Sequence, residues 1–412
     1  MSETHHHRPV AWWRDDALIH RFVCDLIADD LSRQRPTSLI PPAGSWKSPD
    51  LHLVRDLAID SLELVSLATA LNEALHLHES GLEDRLLARH TIGDWIEVAR
   101  EGLETFSGAM TFRTSGSAGV PKRCTHSVAD LWQEVRELAP RFAGRRRVLS
   151  AVRTHHIYGF LWSTLLPLEL ALESDTVLDV RGSLPSSVAA SLREGDLVIG
   201  YPDFWQMMAR SGVSIASDVV GITSTAPCPD IVAHALTEQG LGSLVHIYGS
   251  SETAGVGVRA HPGEPYTLLS YWKRGEGGSA HIVRESFEGR SVAHSPQDTL
   301  LWTDDRRFRP TGRADDGIQV AGVNVFPSNI RRVLLGHPDV LDVAIRRMGT
   351  DESGRLKAFV VPRSTGSLLE LQNHLEVWLS SRLSPPERPK AFTFGESIPL
   401  DPMGKQTDWL LA

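Results

Sequence analysis

Beyond Met110 the chain of 412 residues passes through short β-rich runs at 147–152, 176–180, 196–200, 219–224 and 244–248, with helical segments between them. Strands alternating with helices predict an α/β sheet with parallel pairs, because each parallel connection needs a crossover long enough to hold a helix. In such sheets ligands sit beyond the carboxyl ends of the strands, so the loops after these runs are the first places to look for chemistry. Pro310 and Gly312 then break the pattern at 309–312. Beyond the break, 339–348, 356–361 and the amphipathic run 368–383 read as strand, strand and helix of a small α+β unit.

The residues before Met110 have a different character. Leu18, Ile19, Phe22, Val23, Leu26 and Ile27 recur at helical spacing over 17–31, and 35–49 is a loop rich in Pro, Ser and Gly. A second helix starts near Asp60 with Leu62, Val65, Ala68, Leu71 and Leu75 on one face, and shorter helical pieces follow near 81–89 and 91–101. Together they predict a four-helix bundle. The expected division is a helical domain at 1–104, an α/β domain at 105–311 and the α+β unit at 312–412, a length that suits two or three cores. Met1–Val10, with His5, His6, His7 and Arg8 but no apolar stretch, does not read as a secretory signal.

Composition excludes several classes. Forty-two basic against 51 acidic residues give a formal charge of −9, which argues against a nucleic-acid partner. The run Arg145–Arg147 reads as a solvated turn or, alternatively, as a docking patch for an acidic partner. No apolar run is long enough for a membrane span, so no membrane partner is expected. Cys24, Cys124 and Cys228 lack metal-ligand spacing and suit a reducing, cytoplasmic setting better than a disulfide framework.

Thr114-Ser115-Gly116-Ser117-Ala118-Gly119-Val120-Pro121-Lys122 brings hydroxyls, glycines and a lysine into one loop. Glycines let backbone N–H groups approach a phosphate, hydroxyls donate to it, and lysine adds charge. The loop is not a Walker A sequence, because Pro121 precedes the lysine and Arg123 follows it. Downstream stand His156-Ile157-Tyr158-Gly159-Phe160, Ser224-Thr225-Ala226-Pro227, Tyr248-Gly249-Ser250-Ser251-Glu252-Thr253, Gly312-Arg313-Ala314-Asp315-Asp316-Gly317-Ile318-Gln319-Val320-Ala321-Gly322 and Pro399-Leu400-Asp401-Pro402-Met403-Gly404-Lys405. Read singly, each has a plain explanation: Glu252 as a first-turn helix acid, His156 as a turn histidine, Lys405 as a surface lysine.

Taken in order, these segments resemble the adenylate-forming superfamily of acyl-CoA synthetases, aryl-acid ligases and adenylation domains. The resemblance implies a truncated large domain with mostly parallel sheets and a small mobile C-terminal domain. It implies ATP-dependent activation of a carboxylic acid as acyl-AMP, then transfer to a thiol. Thr114, Ser115, Gly116, Ser117, Gly119 and Lys122 would grip the pyrophosphate portion. Tyr248, Gly249 and Ser251 would line the nucleotide site, Glu252 would hold Mg²⁺, and Asp305 and Arg313 would take the ribose. His156, Tyr158, Phe160 and Ala226 would form the acid pocket. Lys405 would bridge the carboxylate and the α-phosphate, Asp315 would be the hinge, and Gly322 would line the acceptor tunnel.

The aromatic context of His156 points to a small flat acid such as a hydroxybenzoate, and the compact chain resembles ligases of xanthomonadin and aryl-polyene pigment clusters. The expected acceptor is an acyl carrier protein thiol, with CoA as the alternative. A carrier or binding protein with a decayed adenylating half is the alternative outside enzymes. Leu57-Ala58-Ile59-Asp60-Ser61-Leu62 also resembles the Asp-Ser-Leu segment of acyl carrier proteins, which would place phosphopantetheine on Ser61. The same residues equally make a capping box, with Asp60 at N-cap and Glu63 at N3. Gln319, Arg123 and Asp408 depart from the family pattern, and the helical N-terminus stands where the family has a longer large domain.

Overall fold

The computed structural model describes residues 11–35, 40–114, 122–276, 281–313, 317–320, 323–348, 355–364, 366–399 and 408–409. Ser115, Gly116, Ser117, Gly119, Asp315, Gly322 and Lys405 lie outside the described residues, as do the side chains of Thr114 and Arg313. The chain forms two compact units, the smaller one containing Arg313–Ala412.

The larger unit is built on a nine-stranded sheet. Its spatial order is Asp298–Trp302, Arg307–Arg313, Tyr266–Leu268, Ala254–Arg259, Ser243–Ser250, Val220–Thr223, Asp196–Gly200, Arg147–Ser150 and Val177–Asp179. The last five are mutually parallel and are the five runs read from the sequence. The partners of Ser243–Ser250, Ala254–Arg259 and Tyr266–Leu268 on the other side are antiparallel, so the sheet is mixed rather than mostly parallel. Short hairpin connections allow this, whereas each parallel step carries a helix such as Pro202–Ser211 or Asp230–Glu238. The strand Asp196–Gly200 is buried throughout, as a strand covered on both faces must be.

Helices Asp16–Gln34, Ser61–Leu75 and Ile92–Thr105 form where helical periodicity predicts them. They do not close a core of their own. Trp12, Phe22, Leu71 and Trp95 belong to the same core as Trp132, Phe160, Val245 and Phe308, and the Trp12 and Phe160 rings meet edge-on at 5.1 Å. The expected boundary at residue 104 is therefore not a boundary of packing. Periodicity tells which face of a helix is buried but not what buries it.

The capping box is present. The Asp60 carboxylate accepts from Leu62 N (2.9 Å) and Glu63 N (2.8 Å), and Glu63 Oε2 accepts from Asp60 N at 3.0 Å. Arg145 pairs with Asp218 at 2.8 Å and Arg147 with Asp196 at 2.6 Å, which gives this basic run structural partners.

In the smaller unit, strands Val340–Arg347 and Leu356–Pro362 are antiparallel, and Ala391–Phe394 adds in parallel to the second. Helices Pro327–Leu335 and Leu368–Ser380 cover a core of Ile330, Leu334, Val343, Val360 and Leu375. Asp408, a departure from the family pattern, lies 3.0 Å from the ammonium of the buried Lys357. Lys357 also donates to the Trp409 carbonyl at 2.7 Å. An acidic residue at 408 thus serves a buried cation.

Among the described residues, no helix is long and apolar enough to cross a membrane. All three cysteines are buried.

Candidate active site

In chain order the parallel strands lie second, first, third, fourth, fifth across the sheet, so the order switches between Arg147–Ser150 and Asp196–Gly200. A crevice opens outside the carboxyl ends of strands at such a point. The first strand leads there into Arg153-Thr154-His155-His156 and the third into Tyr201. The fourth leads into Ser224-Thr225-Ala226 and the fifth into the turn that carries Glu252. The topology thus collects segments that are far apart in sequence along one edge.

Carboxylates from the first helix hold the His155–His156 loop. Asp25 is buried, and its Oδ2 accepts from Thr154 N (2.8 Å) and Thr154 Oγ1 (2.9 Å) while Arg181 lies 2.7 Å from Oδ1. Asp29 pairs with Arg153, and His155 Nε2 lies 3.3 Å from it. The two histidine rings sit 4.2 Å apart. Asp29, His155 and His156 place three metal-type ligand atoms within 4.8 Å of one another, but the Arg153 guanidinium already neutralises Asp29 there. Gly159 admits no side chain, because a Cβ would overlap the Arg153 carbonyl.

The four expected acid-pocket residues divide. His156 is accessible and Ala226 is partly so. Tyr158 is buried, with its hydroxyl donating to the Gly200 carbonyl at 2.8 Å and lying 3.1 Å from that of Ile222, and burial pushes its pKa well up. Phe160 is wholly buried among Trp12, Phe22 and Phe112. These two rings support the loop from behind. Thr225 adopts φ +77°, a region that β-branched residues avoid, and the Ser224 hydroxyl beside it donates to Ile247 O at 2.9 Å. Such strain concentrates at functional sites.

The Tyr248–Glu252 segment is held by residues that sequence reasoning missed. Gln297 Nε2 donates to Glu252 Oε1 at 2.8 Å, and the Tyr248 hydroxyl donates to Asp298 Oδ2 at 2.9 Å. His126 Nε2 donates to the Ser251 carbonyl at 2.6 Å, and Ser250 N to Thr253 Oγ1 at 3.0 Å. Gly249 is required, since a Cβ would overlap the Ala254 carbonyl. Neither Gln297 nor Asp298 stands in a recognisable motif.

Asp305 lies on the turn after Asp298–Trp302, with its side chain 99% exposed and Arg274 3.9 Å away. Its neighbour Asp304 shapes the turn instead, accepting from Arg306 N (2.8 Å) and Arg307 N (2.7 Å), bonds that lower its pKa. Lys122 is exposed at the start of strand Lys122–Ser127. Glu252, with the hydroxyl of Ser251 beside it, supplies oxygen donors and no thiolate, a set that suits Mg²⁺.

Residues 62–273 match the AMP-binding enzyme family, and residues 330–405 match the AMP-binding enzyme C-terminal domain. A protein named 4-coumarate–CoA ligase from Halorhodospira halophila is 36% identical over 387 residues, covering 93% of this chain and 97% of that protein. The chain belongs to the AMP-binding enzyme family. A protein of the same name from Cereibacter sphaeroides is 35% identical over 375 residues, 89% of this chain and 87% of its own. An amide bond synthetase from Marinactinospora thermotolerans shares the fold, with a TM-score of 0.60 at 17% identity over 94% of this chain and 92% of that one. In this AMP-binding enzyme the family match begins at residue 62, inside helix Ser61–Leu75, which ties that helix to the adenylating unit.

Proposed function

We propose that this AMP-binding enzyme activates a planar aromatic carboxylic acid with ATP and transfers the acyl group to the thiol of CoA. The observation that carries the reading is the placement of His156, at the switch point, on the same carboxyl edge of the sheet as the Tyr248–Glu252 segment. One site can then hold an acid beside a nucleotide. The names of the relatives favour a 4-hydroxycinnamate over a hydroxybenzoate, and CoA over a carrier-protein thiol.

The chemistry needs alignment and charge neutralisation more than a base, because a carboxylate is already ionised at neutral pH. A carboxylate oxygen forms a bond to the α-phosphorus as the bond to pyrophosphate breaks. The thiolate sulfur then attacks the acyl carbon, and AMP leaves with the electron pair of the cleaved acyl–oxygen bond.

By resemblance, Thr114, Ser115, Gly116, Ser117, Gly119 and Lys122 grip the pyrophosphate portion, while Asp305 and Arg313 take the ribose. Tyr248, Gly249 and Ser251 border the nucleotide. Glu252 would hold Mg²⁺, which supplies charge neutralisation at the phosphates when bound. Lys405 neutralises charge between the carboxylate and the α-phosphate, Asp315 is the hinge, and Gly322 lies toward the thiol. For Ser61 we favour a plain place in the first turn of the helix that Asp60 caps over phosphopantetheine attachment, because that helix shares the core of the adenylating unit.

The test is to supply ATP, Mg²⁺ and CoA with 4-hydroxycinnamate, 4-hydroxybenzoate and an alkanoate, and to measure thioester and AMP. The proposal predicts equal amounts of aryl-CoA and AMP with a hydroxylated aromatic acid. No aryl-CoA with either aromatic acid, or thioester only with the alkanoate, would contradict it.

A further inference from the structure

Arg284 lies outside every motif, yet it is 5% exposed and reaches the backbone of the turn that carries Glu252. Its Nη1 donates to the Thr253 carbonyl at 3.2 Å, and its Nη2 donates to the Asp130 carbonyl at 2.8 Å and lies 3.3 Å from Gln133 Oε1. The guanidinium is packed 4.5 Å from the Tyr271 ring centre and 5.6 Å from that of Trp272. Planar stacking with several fixed donors is a task for arginine rather than lysine.

Asp130 and Gln133 belong to helix Val128–Leu138, which starts where strand Lys122–Ser127 ends. That strand emerges from the phosphate loop, and its His126 donates to Ser251 O. From the same helix the buried Glu134 accepts from Gly255 N at 2.7 Å, just past Ala254 with its φ of +56°. One helix thus meets the backbone just after Glu252 at two points, Thr253 through Arg284 and Gly255 through Glu134, while the strand before it meets Ser251.

We propose that Arg284 is a positioning residue that registers the Glu252 turn to helix Val128–Leu138, and so sets the divalent cation against the nucleotide phosphates. The inference rests on the assignment of Glu252 to Mg²⁺. Without Arg284, the Thr253 and Asp130 carbonyls lose their common donor, and the bond from Gly255 to Glu134 is left to join this segment to the helix.

The experiment is ATP binding by calorimetry with and without Mg²⁺, on the intact wild type, Arg284→Gln and Arg284→Lys, with unfolding midpoints measured alongside. Acid KM is read from pyrophosphate exchange. The expected result is that Mg²⁺ tightens ATP binding to the wild type, and that this gain falls at least tenfold in Arg284→Gln and is partly restored in Arg284→Lys. ATP affinity without Mg²⁺ and acid KM stay within about threefold. Should Arg284→Gln fail to fold, Arg284→Lys alone must show a reduced gain with an intact fold. A wild-type gain that persists unchanged in the folded variants overturns the positioning role and leaves the adenylation reading standing. A wild type that binds no ATP with Mg²⁺ sinks both.

Discussion

Two segments on the same edge of the sheet are fixed in opposite ways. The His155–His156 loop is held by ion pairs reaching from the first helix, where Asp25 and Asp29 meet Arg181, Arg153 and Thr154. The Glu252 turn is held by hydrogen bonds to its backbone, donated by His126 and Arg284 from two smaller sheets and accepted by Glu134 of helix Val128–Leu138. The His155–His156 loop therefore depends on the N-terminal segment, whereas the Glu252 turn depends on elements that follow residue 122.

The sharpest way to break this contrast is Asp25→Ala. It removes the buried carboxylate that accepts from Thr154 and pairs with Arg181; because Arg181 keeps Asp179 at 2.5 Å, the cost is about 3 kcal/mol, the low end for a buried pair that loses one member. Urea unfolding should show that loss, and the surviving enzyme should show a raised KM for the acid with little change for ATP. An equal rise in both would mean that the two segments are not held separately.

The second test addresses the turn. Burial pushes the Glu134 carboxyl from 4.5 up to about 7, against the opposing Gly255 N–H and Arg284 charge. A raised acid pKa means that the unfolded chain ionises first, so stability falls as pH rises from 4.5 to about 7 and is flat above. The fall should be about 3 kcal/mol at 1.36 kcal/mol per unit. Unfolding of Glu134→Gln across that range should lack this slope, and a slope retained in full would place its origin elsewhere.

The smallest effects belong to a segment outside both. Asp60→Ala should cost about 1 kcal/mol by removing the cap. Ser61→Ala should stay within about 0.5 kcal/mol and leave CoA thioester formation unchanged. Loss of activity in Ser61→Ala would revive the phosphopantetheine reading.

Legibility in the sequence followed the range of the interactions. The five parallel strands were readable because each is a local apolar run bounded by turn residues, and their order then placed His156. Tyr248 and Glu252 were readable from the motif they share. Gln297, Asp298 and Arg284 were not, since each meets the Tyr248–Thr253 segment from 31 to 50 residues away, through antiparallel pairing that has no local signal. Asp25 and Asp29 were overlooked because helical periodicity marks apolar faces, and these acids sit buried on the same helix as Phe22, Ile27 and Leu31. Tyr158 and Phe160 drew attention as aromatic residues beside His156, but aromatic character does not distinguish a pocket wall from the core behind it.

The most direct test of the central claim is acid-dependent exchange of labelled pyrophosphate into ATP, run with 4-hydroxycinnamate, with a hydroxybenzoate and without acid. Exchange that requires Mg²⁺ and an aromatic acid, and that falls at least a hundredfold in Glu252→Ala at matched fold stability, is the predicted result. Silence of the wild type with every acid, or exchange indifferent to Glu252, would contradict it.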